Sequence, residues 1–310
     1  MSKLISIVTP CYNEEGNVEE LSFRIKKVMG NLNYRYEHIF IDNASADQTV
    51  DKIKKLIEAD KKIKLIVNVR NFGHLRSPYH AIHQAHGDAV ILMASDLQDP
   101  PELIPELINK WEHGYKTALI VKKQSMENPL MFLIRKFYYK FLNKISEIKL
   151  VENAHGSGLY DRLVIGQMAK VNDPNPYLRG LLAEIGYPIA EVEFTQPRRK
   201  QGITKNNFFT LLDTAIIGII NHSMLPIRML TIVGFILSFL SIAIAVAFFI
   251  LKMIYWERYA NGMAPLLIGL FFFVSIQLFY LGLIGEYVSS INIKIRNLPM
   301  VVESERVNFE

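Results

Sequence analysis

Cysteine is almost absent from this sequence, since Cys11 is the single one among 310 residues. One thiol excludes an intrachain disulfide and agrees with a reducing compartment, and we interpret Cys11 as a small buried hydrophobic residue. A secretory signal is also missing, because residues 1–9 are too short for one and run directly into a strand-like segment. The sequence therefore predicts that the N-terminal part of the protein remains in the compartment where it is made.

Charged residues are absent from two long stretches near the C-terminal end. Residues 229–251 and residues 264–285 contain no Asp, Glu, Lys or Arg, and each run is at least as long as the roughly 20 residues that a helix needs to cross a bilayer. Buried helices of a soluble core are usually shorter and interrupted by polar residues. These runs predict two transmembrane helices, with the boundary between a soluble part and a membrane part near residue 224.

Lysine and arginine flank the two apolar runs unequally. An even number of spans places both chain ends on one side of the membrane. The basic residues on that side are Arg198, Arg199, Lys200, Lys205, Arg228, Lys294 and Arg296. The loop between the runs carries Lys252 and Arg258, so the bias is modest, but the positive-inside tendency predicts that the N-terminal part and both termini are cytoplasmic. The net charge of +5 is otherwise spread over predicted helix surfaces and does not indicate nucleic-acid binding.

Short apolar runs alternate with helical patterns in the N-terminal part of the chain. The predicted strands are Leu4–Thr9, Tyr36–Asp42, Ile63–Asn68, Ala89–Ala94 and Thr117–Val121. Helices of ten or more residues fit between most of them. This alternation predicts an α/β fold with a mostly parallel sheet, and the nearly continuous apolar character of the strands indicates that both faces are covered.

Polar loops follow the carboxyl ends of the first four predicted strands. They comprise residues 10–14, 42–43, 71–74 and 96–99. Parallel α/β folds bind ligands at this edge of the sheet. Ser45 followed by Gln48 forms a capping-box pattern, which predicts that a helix begins directly after the second strand.

Residues 207–221 place apolar side chains at helical spacing with polar positions between them. This pattern fits a core helix or, because a membrane span follows, a helix that lies in the membrane interface. We favour the interface helix and assign residues 207–223 to it.

Four ordered motifs and the two spans resemble a known family. The motifs are Thr9–Glu14 (TPCYNE), Ile41–Asp47 (IDNASAD), Arg70–His74 (RNFGH) and Ser95–Pro101 (SDLQDPP). They resemble the inverting GT-A glycosyltransferases of family 2. Their order ahead of two spans is similar to the polyprenyl-phosphate glycosyltransferases, which include bactoprenol glucosyltransferases and dolichol-phosphate mannose synthases. Each motif alone is weakly specific, whereas the ordered set covers essentially the whole chain.

The resemblance implies an architecture and a reaction. The expected architecture is a Rossmann-like GT-A catalytic domain at residues 1–206, the interface helix, a two-helix anchor at residues 224–288 and a cytoplasmic tail at residues 289–310. The expected reaction is inverting transfer of a sugar from a nucleotide-sugar to a polyprenyl phosphate such as undecaprenyl phosphate, by a homo-oligomer in the cytoplasmic membrane. A UDP-sugar is the expected donor and GDP-mannose the alternative. The rival from another functional class is a non-catalytic relative that binds lipid phosphate.

The resemblance assigns the donor site to the first three loops. The nucleotide-sugar-binding residues that it implies are Pro10, Tyr12, Glu14, Asp42, Asn71 and Gly73. The carboxylate of Asp42 is a reasonable acceptor for a base N–H. An aspartate at this point of a chain is also typical of a turn or a helix cap.

A metal motif of the family, Asp-x-Asp-x-Gln, is only half present. Asp96 and Gln98 match its later half, and Ala94 stands where the first aspartate is expected. Because a pyrophosphate calls for a hard cation bound through oxygen, we expect Mg²⁺ or Mn²⁺ on Asp96 and Gln98, with weaker affinity. Asp99 is a further candidate ligand, and its alternative role is a helix N-cap before the two prolines that follow.

An acidic residue of the family, often discussed as a base, is replaced by Gly156 in this chain. The acceptor phosphate has a second pKa of about 6 and is mostly ionised at neutral pH, so it needs placement more than deprotonation. Orientation and charge stabilisation would then supply most of the catalysis.

The phosphates of donor and acceptor require cations, which the resemblance places near the membrane. The lipid-phosphate residues that it implies are Lys122, Lys123, Arg135, Arg199, Thr204 and Lys205. Arginine suits bidentate phosphate contacts, and lysine acts as a point charge. We assign catalysis to Asp96, Arg135 and Arg199, although each basic residue alone also fits a contact with lipid headgroups.

Overall fold

The computed structural model describes residues 2–124, 151, 154–171, 173, 176–195, 225–255, 263–295 and 298–309. The chain divides into two compact units. Within the described residues, the first unit comprises the chain before Gly218 and after Asn297, and the second lies between Ile219 and Arg296.

The first unit is built on an eight-stranded sheet. Its strands are β1 (Leu4–Cys11), β2 (Arg35–Asp42), β3 (Ile63–Asn68), β4 (Ala89–Leu92), β5 (Thr117–Gln124), β6 (Ala154–Asp161), β7 (Ile189–Thr195) and β8 (Glu303–Val307). Their spatial order is β7-β5-β6-β4-β1-β2-β3-β8. The five strands that the sequence predicts are confirmed as β1 to β5, and β6, β7 and β8 are additional.

Most neighbouring strands of the sheet pair in parallel. β1 pairs in parallel with β2 and β4, β2 with β3, and β5 with β7. β6 runs antiparallel to β4 and β5, and β8 runs antiparallel to β3. The predicted α/β fold with a mostly parallel sheet is thus confirmed, and the carboxyl ends of β1 to β4 lie at one edge of the sheet.

Helices cover both faces of this sheet. They are α1 (Val18–Gly30), α2 (Thr49–Ala59), α3 (Gly73–Gln84), α4 (Ile104–Glu112), α5 (Arg162–Met168) and α6 (Leu178–Ile185). Phe40 lies in one core with residues of α1, α2 and α4, whereas Ile39 and Ile41 lie in the other with residues of α3, α5 and α6. This period of two explains why the covered strands are apolar on both faces. Cys11 is 2% exposed, as its interpretation as a buried residue predicts.

Strand β8 comes from the C-terminal segment that the sequence analysis assigned to a tail. It closes the edge of β3, and it is also joined to helices on both faces of the sheet. The Nε2 of His80 on α3 lies 2.6 Å from Oε1 of Glu303. The Nζ of Lys54 on α2 donates to Oε2 of Glu305 at 2.7 Å. The end of the chain is therefore an integral part of the first unit.

The second unit contains two long helices, α7 (Leu225–Ile254) and α8 (Met263–Ile295). The predicted spans fall within them. Among the described residues, one helical window, Phe272–Ser289 in α8, is long and apolar enough to cross a membrane, with a mean hydropathy of 1.4 and 0% of it buried. That α7 and α8 cross a membrane stays a prediction. The predicted interface helix, residues 207–223, lies outside the described residues.

Candidate active site

The loops after β1 and β2 are joined by hydrogen bonds between backbone and side chains. Asn13 N donates to Ser45 Oγ at 2.8 Å, and Ala46 N donates to Asn13 Oδ1 at 2.8 Å. Glu14 N donates to Thr49 Oγ1 at 2.9 Å. Asn13 has a φ of 54°, a conformation that asparagine tolerates better than most residues. These contacts hold the first predicted donor loop against the second.

Three predicted donor residues lie in this first loop region. Pro10 is near the end of β1, Tyr12 and Glu14 follow the strand, and all three are partly exposed. The structure therefore places them where a ligand at this edge of the sheet can reach them. Their contact with a nucleotide stays a prediction.

Asp42 ends β2 opposite Cys11 of β1 and is fully buried. Its Oδ2 accepts from Ser45 N at 2.8 Å, and its Oδ1 accepts from the Ser45 hydroxyl. Burial raises the pKa of Asp42, and the two bonds from Ser45 oppose that shift. The turn interpretation of Asp42 is thus confirmed, whereas its role toward a nucleotide stays a prediction.

The capping box predicted at Ser45 is wrong. Helix α2 begins at Thr49, and its N-cap residue Gln48 makes no side-chain cap bond. Ser45 Oγ accepts from Asn13 N and donates to Asp42, whereas Asp47 Oδ1 accepts from Thr49 N at 3.0 Å. The helix begins later than predicted, so the loop at the site is longer.

The third predicted donor loop is joined to the second through Asn43. Its Nδ2 donates to Asn71 Oδ1 at 2.9 Å and to Gly73 O at 3.2 Å. Phe72 N donates to Asn43 Oδ1 at 2.9 Å. Asn43 is 6% exposed, whereas Asn71 is exposed to solvent. Sequence reasoning assigned Asn43 no role, and the available signal was its position directly after Asp42 at a strand end.

The loop after β4 carries the predicted metal ligands Asp96, Gln98 and Asp99. Asp96 is partly exposed, and its Oδ1 accepts from Gln98 N at 3.1 Å. Leu97 has a φ of 58°, which is unusual for a bulky residue and marks a constrained turn. Asp99 is 5% exposed, and the 3₁₀ turn that follows has Pro100 as its N-cap residue, so the predicted alternative of an Asp99 cap is wrong.

The number and type of metal-ligating side chains in this loop indicate which kind of metal site it can form. The described residues contain no group of three or more His, Cys, Asp or Glu side chains that could hold a metal ion. A nucleotide-bound Mg²⁺ usually takes only one or two carboxylates from the protein, and phosphates and water complete its coordination. Asp96 with the amide oxygen of Gln98 therefore fits an ion that a pyrophosphate brings with it.

Ala94 and Gly156 are the two positions where the resemblance leads us to expect acidic residues. Ala94 lies two residues after β4, and Gly156 lies in β6, whose Gly158 pairs with Leu92 of β4. Gly156 has a φ of 87°, and its carbonyl oxygen accepts from the Tyr160 hydroxyl. Since this backbone conformation disfavours any L side chain, glycine suits the position and an acidic residue would be strained there.

The predicted lipid-phosphate residues are only partly described. Lys122 and Lys123 lie on β5, where Lys122 pairs with Phe194 of β7. The others, which lie outside the described residues, are Arg135, Arg199, Thr204 and Lys205. Their roles stay predictions.

The structure adds a cation that sequence reasoning did not select. Nη1 of Arg179 on α6 donates to Ala154 O, at the start of β6, at 2.6 Å. Its guanidinium carbon lies 5.1 Å from the centroid of the Tyr177 ring. The Arg179 side chain therefore joins α6 to the start of β6.

Comparisons of the whole chain agree with this arrangement. The profile described as Glycosyl transferase family 2 matches residues 6–167, which include the four loops and β6. An uncharacterized glycosyltransferase of Synechocystis sp. is 35% identical over 307 residues, which are 99% of this chain and 96% of that protein. The SfII prophage-derived bactoprenol glucosyl transferase of Shigella flexneri is 31% identical over 307 residues, which are 98% of this chain and 99% of that protein.

A solved structure supports the fold. The glucosyl-3-phosphoglycerate synthase from Mycobacterium tuberculosis, in complex with Mn²⁺, UDP and phosphoglyceric acid, aligns with a TM-score of 0.50 at 18% identity, over 70% of this chain and 76% of that chain. At this identity the likeness shows the fold alone, which is the Rossmann-like GT-A α/β fold. Together with the profile and the full-length relatives, it establishes that the chain belongs to glycosyl transferase family 2 and is a glycosyltransferase.

Proposed function

We propose that this glycosyltransferase moves a sugar from a nucleotide-sugar to the phosphate of a polyprenyl phosphate such as undecaprenyl phosphate. A UDP-sugar is the expected donor. The observation that carries the proposal is the similarity to a bactoprenol glucosyl transferase over 98% of the chain, which includes α7 and α8 as well as the loop edge of the sheet. The product would be a lipid-linked monosaccharide for the modification of cell-surface glycans.

The donor's nucleotide is assigned to the loops after β1, β2 and β3. Tyr12 and Glu14 are partly exposed at this edge and Asn71 is exposed, so all three are accessible to a ligand. Asp42 is buried and bonded to Ser45 through both oxygens. Each carboxylate oxygen accepts more than one hydrogen bond, so the bonds from Ser45 leave acceptor capacity on Asp42. Because Asp42 is fully buried, a base N–H would reach it only if the residues that cover it move aside.

Asp96 and Gln98, with Asp99 as a further candidate, are the residues that would hold Mg²⁺ or Mn²⁺. When bound, the ion supplies neutralisation of the charge that develops on the departing pyrophosphate. The partly exposed position of Asp96 suits this role. The constrained turn at Leu97 fixes Asp96 and Gln98 relative to each other before the donor binds.

The transfer is a single displacement. An oxygen of the acceptor phosphate forms a bond to the anomeric carbon while the bond to the pyrophosphate oxygen breaks, and that electron pair leaves with the nucleoside diphosphate. The configuration at the anomeric carbon inverts. Gly156 supplies no carboxylate, and the acceptor needs none, because a phosphate monoester with a second pKa of about 6 is already ionised at neutral pH.

Cations must bring the two anionic substrates together. We assign this task to Arg135 and Arg199, with Lys122, Lys123, Thr204 and Lys205 as further contacts of the lipid phosphate. Fixed guanidinium groups stabilise the charge of two phosphates that one divalent ion does not fully neutralise.

Chain connectivity supports the proposed membrane topology. The chain passes from the first unit to the second at Ile219 and returns to the first at Asn297, so β8 lies in the same sheet as β1. A chain that crosses a membrane between these points must cross it an even number of times. We therefore propose that α7 and α8 both span the cytoplasmic membrane, with the catalytic domain and both termini in the cytoplasm. Protease added outside sealed right-side-out vesicles should cut only near residues 256–262, and cleavage within residues 1–206 would contradict this topology.

A transfer assay tests the proposed reaction directly. Purified full-length protein would be incubated with radiolabelled UDP- and GDP-sugars, short polyprenyl phosphates and Mg²⁺ or Mn²⁺, and its oligomeric state, expected to be a homo-oligomer, measured in the same detergent. We expect metal-dependent formation of a lipid that carries one labelled sugar. If GDP-mannose is the only donor used, the proposed reaction stands and the donor is GDP-mannose in place of a UDP-sugar. Lipid binding without transfer from any donor would contradict the proposal and favour a non-catalytic relative.

A further inference from the structure

A buried network of asparagines lies behind the third loop. Asn43 is 6% exposed and Asn68 is 2% exposed. Asn68 Nδ2 donates to Asn43 Oδ1 at 3.1 Å and to Ser77 Oγ at 3.0 Å. Asn43 N also donates to Cys11 O at 2.9 Å. The network therefore starts at the ends of β1 and β3 and reaches, through Asn43, the loop that carries Asn71.

Backbone donors determine the orientation of the Asn43 and Asn71 amides. The N–H of Phe72 can only donate, so the Asn43 atom that faces it is Oδ1. The N–H of Gly73 donates to Asn71 Oδ1 at 2.8 Å and fixes the Asn71 amide in the same way. Asn43 Nδ2 then faces Asn71 Oδ1 as a donor faces an acceptor. The Asn43 and Asn71 amides are thus fixed in one arrangement, whereas the buried Oδ1 of Asn68 has no hydrogen-bond partner among the described residues.

This arrangement decides which atom Asn71 offers to a ligand. The bonds from Asn43 and Gly73 both use Oδ1 of Asn71. The other end of the same amide is Nδ2, which is a donor. A donor on an exposed loop suits a ligand rich in oxygen acceptors, such as a nucleoside diphosphate. Without Asn43, Asn71 would lose one of the two bonds that orient it and would regain rotamer freedom.

We propose that Asn43 is a positioning residue of the donor site, which orients the Asn71 side chain and the Gly73 carbonyl so that the third loop is preorganised for the nucleoside diphosphate. This inference rests on the proposed function, because it requires the third loop to contact the donor. Preorganisation strengthens binding by lowering the cost of ordering the loop. Loss of Asn43 should therefore weaken donor binding and leave the lipid acceptor and the chemical step nearly unaffected.

The test compares variants of the full-length protein by calorimetry with UDP and GDP and by steady-state transfer kinetics. Asn43→Ala should raise the nucleotide Kd and the donor KM about tenfold, the loss expected for one hydrogen-bonded support, while kcat at saturating donor and the lipid KM stay within about twofold. Asn43→Asp keeps the shape but loses both N–H donors, so it should bind the nucleotide at least as weakly. Ile165→Val is the matched control, because Ile165 is a core residue of α5, 2% exposed, that lies outside this network. It should lower the Tm without changing the donor Kd.

Two further readouts separate positioning from general destabilisation. In Asn43→Ala, the amide hydrogens of Phe72 and Gly73 should exchange faster than in the wild type even without a ligand, whereas Ile165→Val should leave them unchanged. The double variant Asn43→Ala/Asn71→Ala should lose less nucleotide affinity than the sum of the two single losses, since Asn43 acts in part through Asn71.

The outcomes distinguish this inference from the proposed function. A wild-type donor Kd in Asn43→Ala, unchanged amide exchange, or additive losses in the double variant would overturn the positioning role while the glycosyl transfer stands. A wild-type protein that binds neither UDP nor GDP and transfers no sugar would overturn the proposed function and this inference with it.

Discussion

The loops at the carboxyl ends of the strands form two groups that differ in how they are held together. The group after β1, β2 and β3 is joined by side chain–backbone hydrogen bonds between residues about 30 positions apart in the chain, such as those of Asn13 and Asn43. The group after β4 and along β6 lacks the carboxylates that the family resemblance leads one to expect at Ala94 and Gly156. The difference shows that the two groups of loops differ in how they are held: hydrogen bonds across the chain join the first three loops, and the loop after β4 carries Asp96 and Asp99 as its carboxylates.

Of the changes considered for the two groups of loops, replacement of Asp96 by Asn should lower the transfer rate most. Asp96 is the carboxylate that remains at the centre of the metal motif, and Asn keeps its size while removing the charge that binds a divalent ion. We expect metal-dependent transfer to fall by more than about a hundredfold, a loss in line with the removal of one strong electrostatic contact at a transition state. Transfer rates at several Mn²⁺ concentrations measure it, with circular dichroism and membrane insertion as controls for folding. Full activity in the variant would show that Asp96 is not the metal ligand.

Loss of the arginines that we assign to the phosphates should have the next largest effect. Arg135→Ala and Arg199→Ala each remove a charge-assisted contact of about 1.5–3 kcal/mol, so transfer should slow by roughly tenfold to a hundredfold. Arg199→Ala should also weaken donor binding. Lysine at the same positions should rescue only partly, because it keeps the charge and loses the planar fork. Wild-type rates in both Ala variants at subsaturating lipid would show that these residues contact headgroups and not substrate.

Acid should weaken the half of the sheet that carries the donor loops. Burial lowers the pKa of His38 on β2, which contacts Thr9, to about 3. Burial, with the charges of His80 and Arg162, lowers the pKa of His83 on α3 to about 4. The unfolded chain binds these protons near pH 6.5. Below that value the unfolded state holds more protons than the folded state. The free energy of unfolding is therefore highest above pH 6.5 and falls as the pH decreases.

Between pH 6.5 and its folded-state pKa, each of these two histidines should lower the free energy of unfolding by roughly 1 to 2 kcal/mol per pH unit. Urea unfolding at pH 7.5 and pH 5.5 measures the combined slope. His38→Asn should flatten that slope even though it lowers stability at neutral pH. His113→Gln, at an exposed position after α4, is the control and should keep the slope. The same slope in His38→Asn and in the wild type would contradict the assignment of His38.

The smallest change in transfer rate is expected when an acidic residue is introduced at Gly156 or Ala94. Gly156 has a φ of 87°, and a side chain in this left-handed conformation costs about 1–2 kcal/mol. Gly156→Asp and Gly156→Ala should therefore lower the Tm by similar amounts, and Gly156→Asp should not raise the transfer rate. Ala94→Asp restores a ligand without this strain and should reduce the Mn²⁺ concentration for half-maximal activity by up to about tenfold, the value of one modest contact. A faster Gly156→Asp enzyme would show that a base limits the reaction after all.

The sequence predicted the central strands because burial on both faces imposes apolar runs that are visible without a structure. The sequence did not predict β6 because this strand contains Gly156 and Gly158 in place of an apolar run. Gly158 has a backbone reason, since a Cβ there would lie 2.2 Å from Ala118 O across the strand pair. β8 escaped because three of its five residues are exposed and charged or polar, as befits a strand at the sheet edge.

The candidate site was predictable in its location and less so in its contacts. Strand ends and polar loops indicated the correct edge, since parallel topology brings those ends together. The capping box at Ser45 failed because its oxygen accepts from Asn13 N, while its hydroxyl donates to Asp42. The role of Asn43 depends on partners that are distant in sequence, such as Asn71. Local patterns do not encode such pairs.

The origin of β8 has a consequence for the biosynthesis of the protein. A ribosome completes β1 to β7 before it makes α7 and α8, and Glu303–Val307 emerges only afterwards. Until then the edge of β3 has no strand to pair with, and such an edge is a template for aggregation with other nascent chains. Sheet completion therefore waits for the long helices to be made. A truncation after Ile295, or a bulky fusion close to Val307, would then act first on the yield of folded sheet and not on helix insertion.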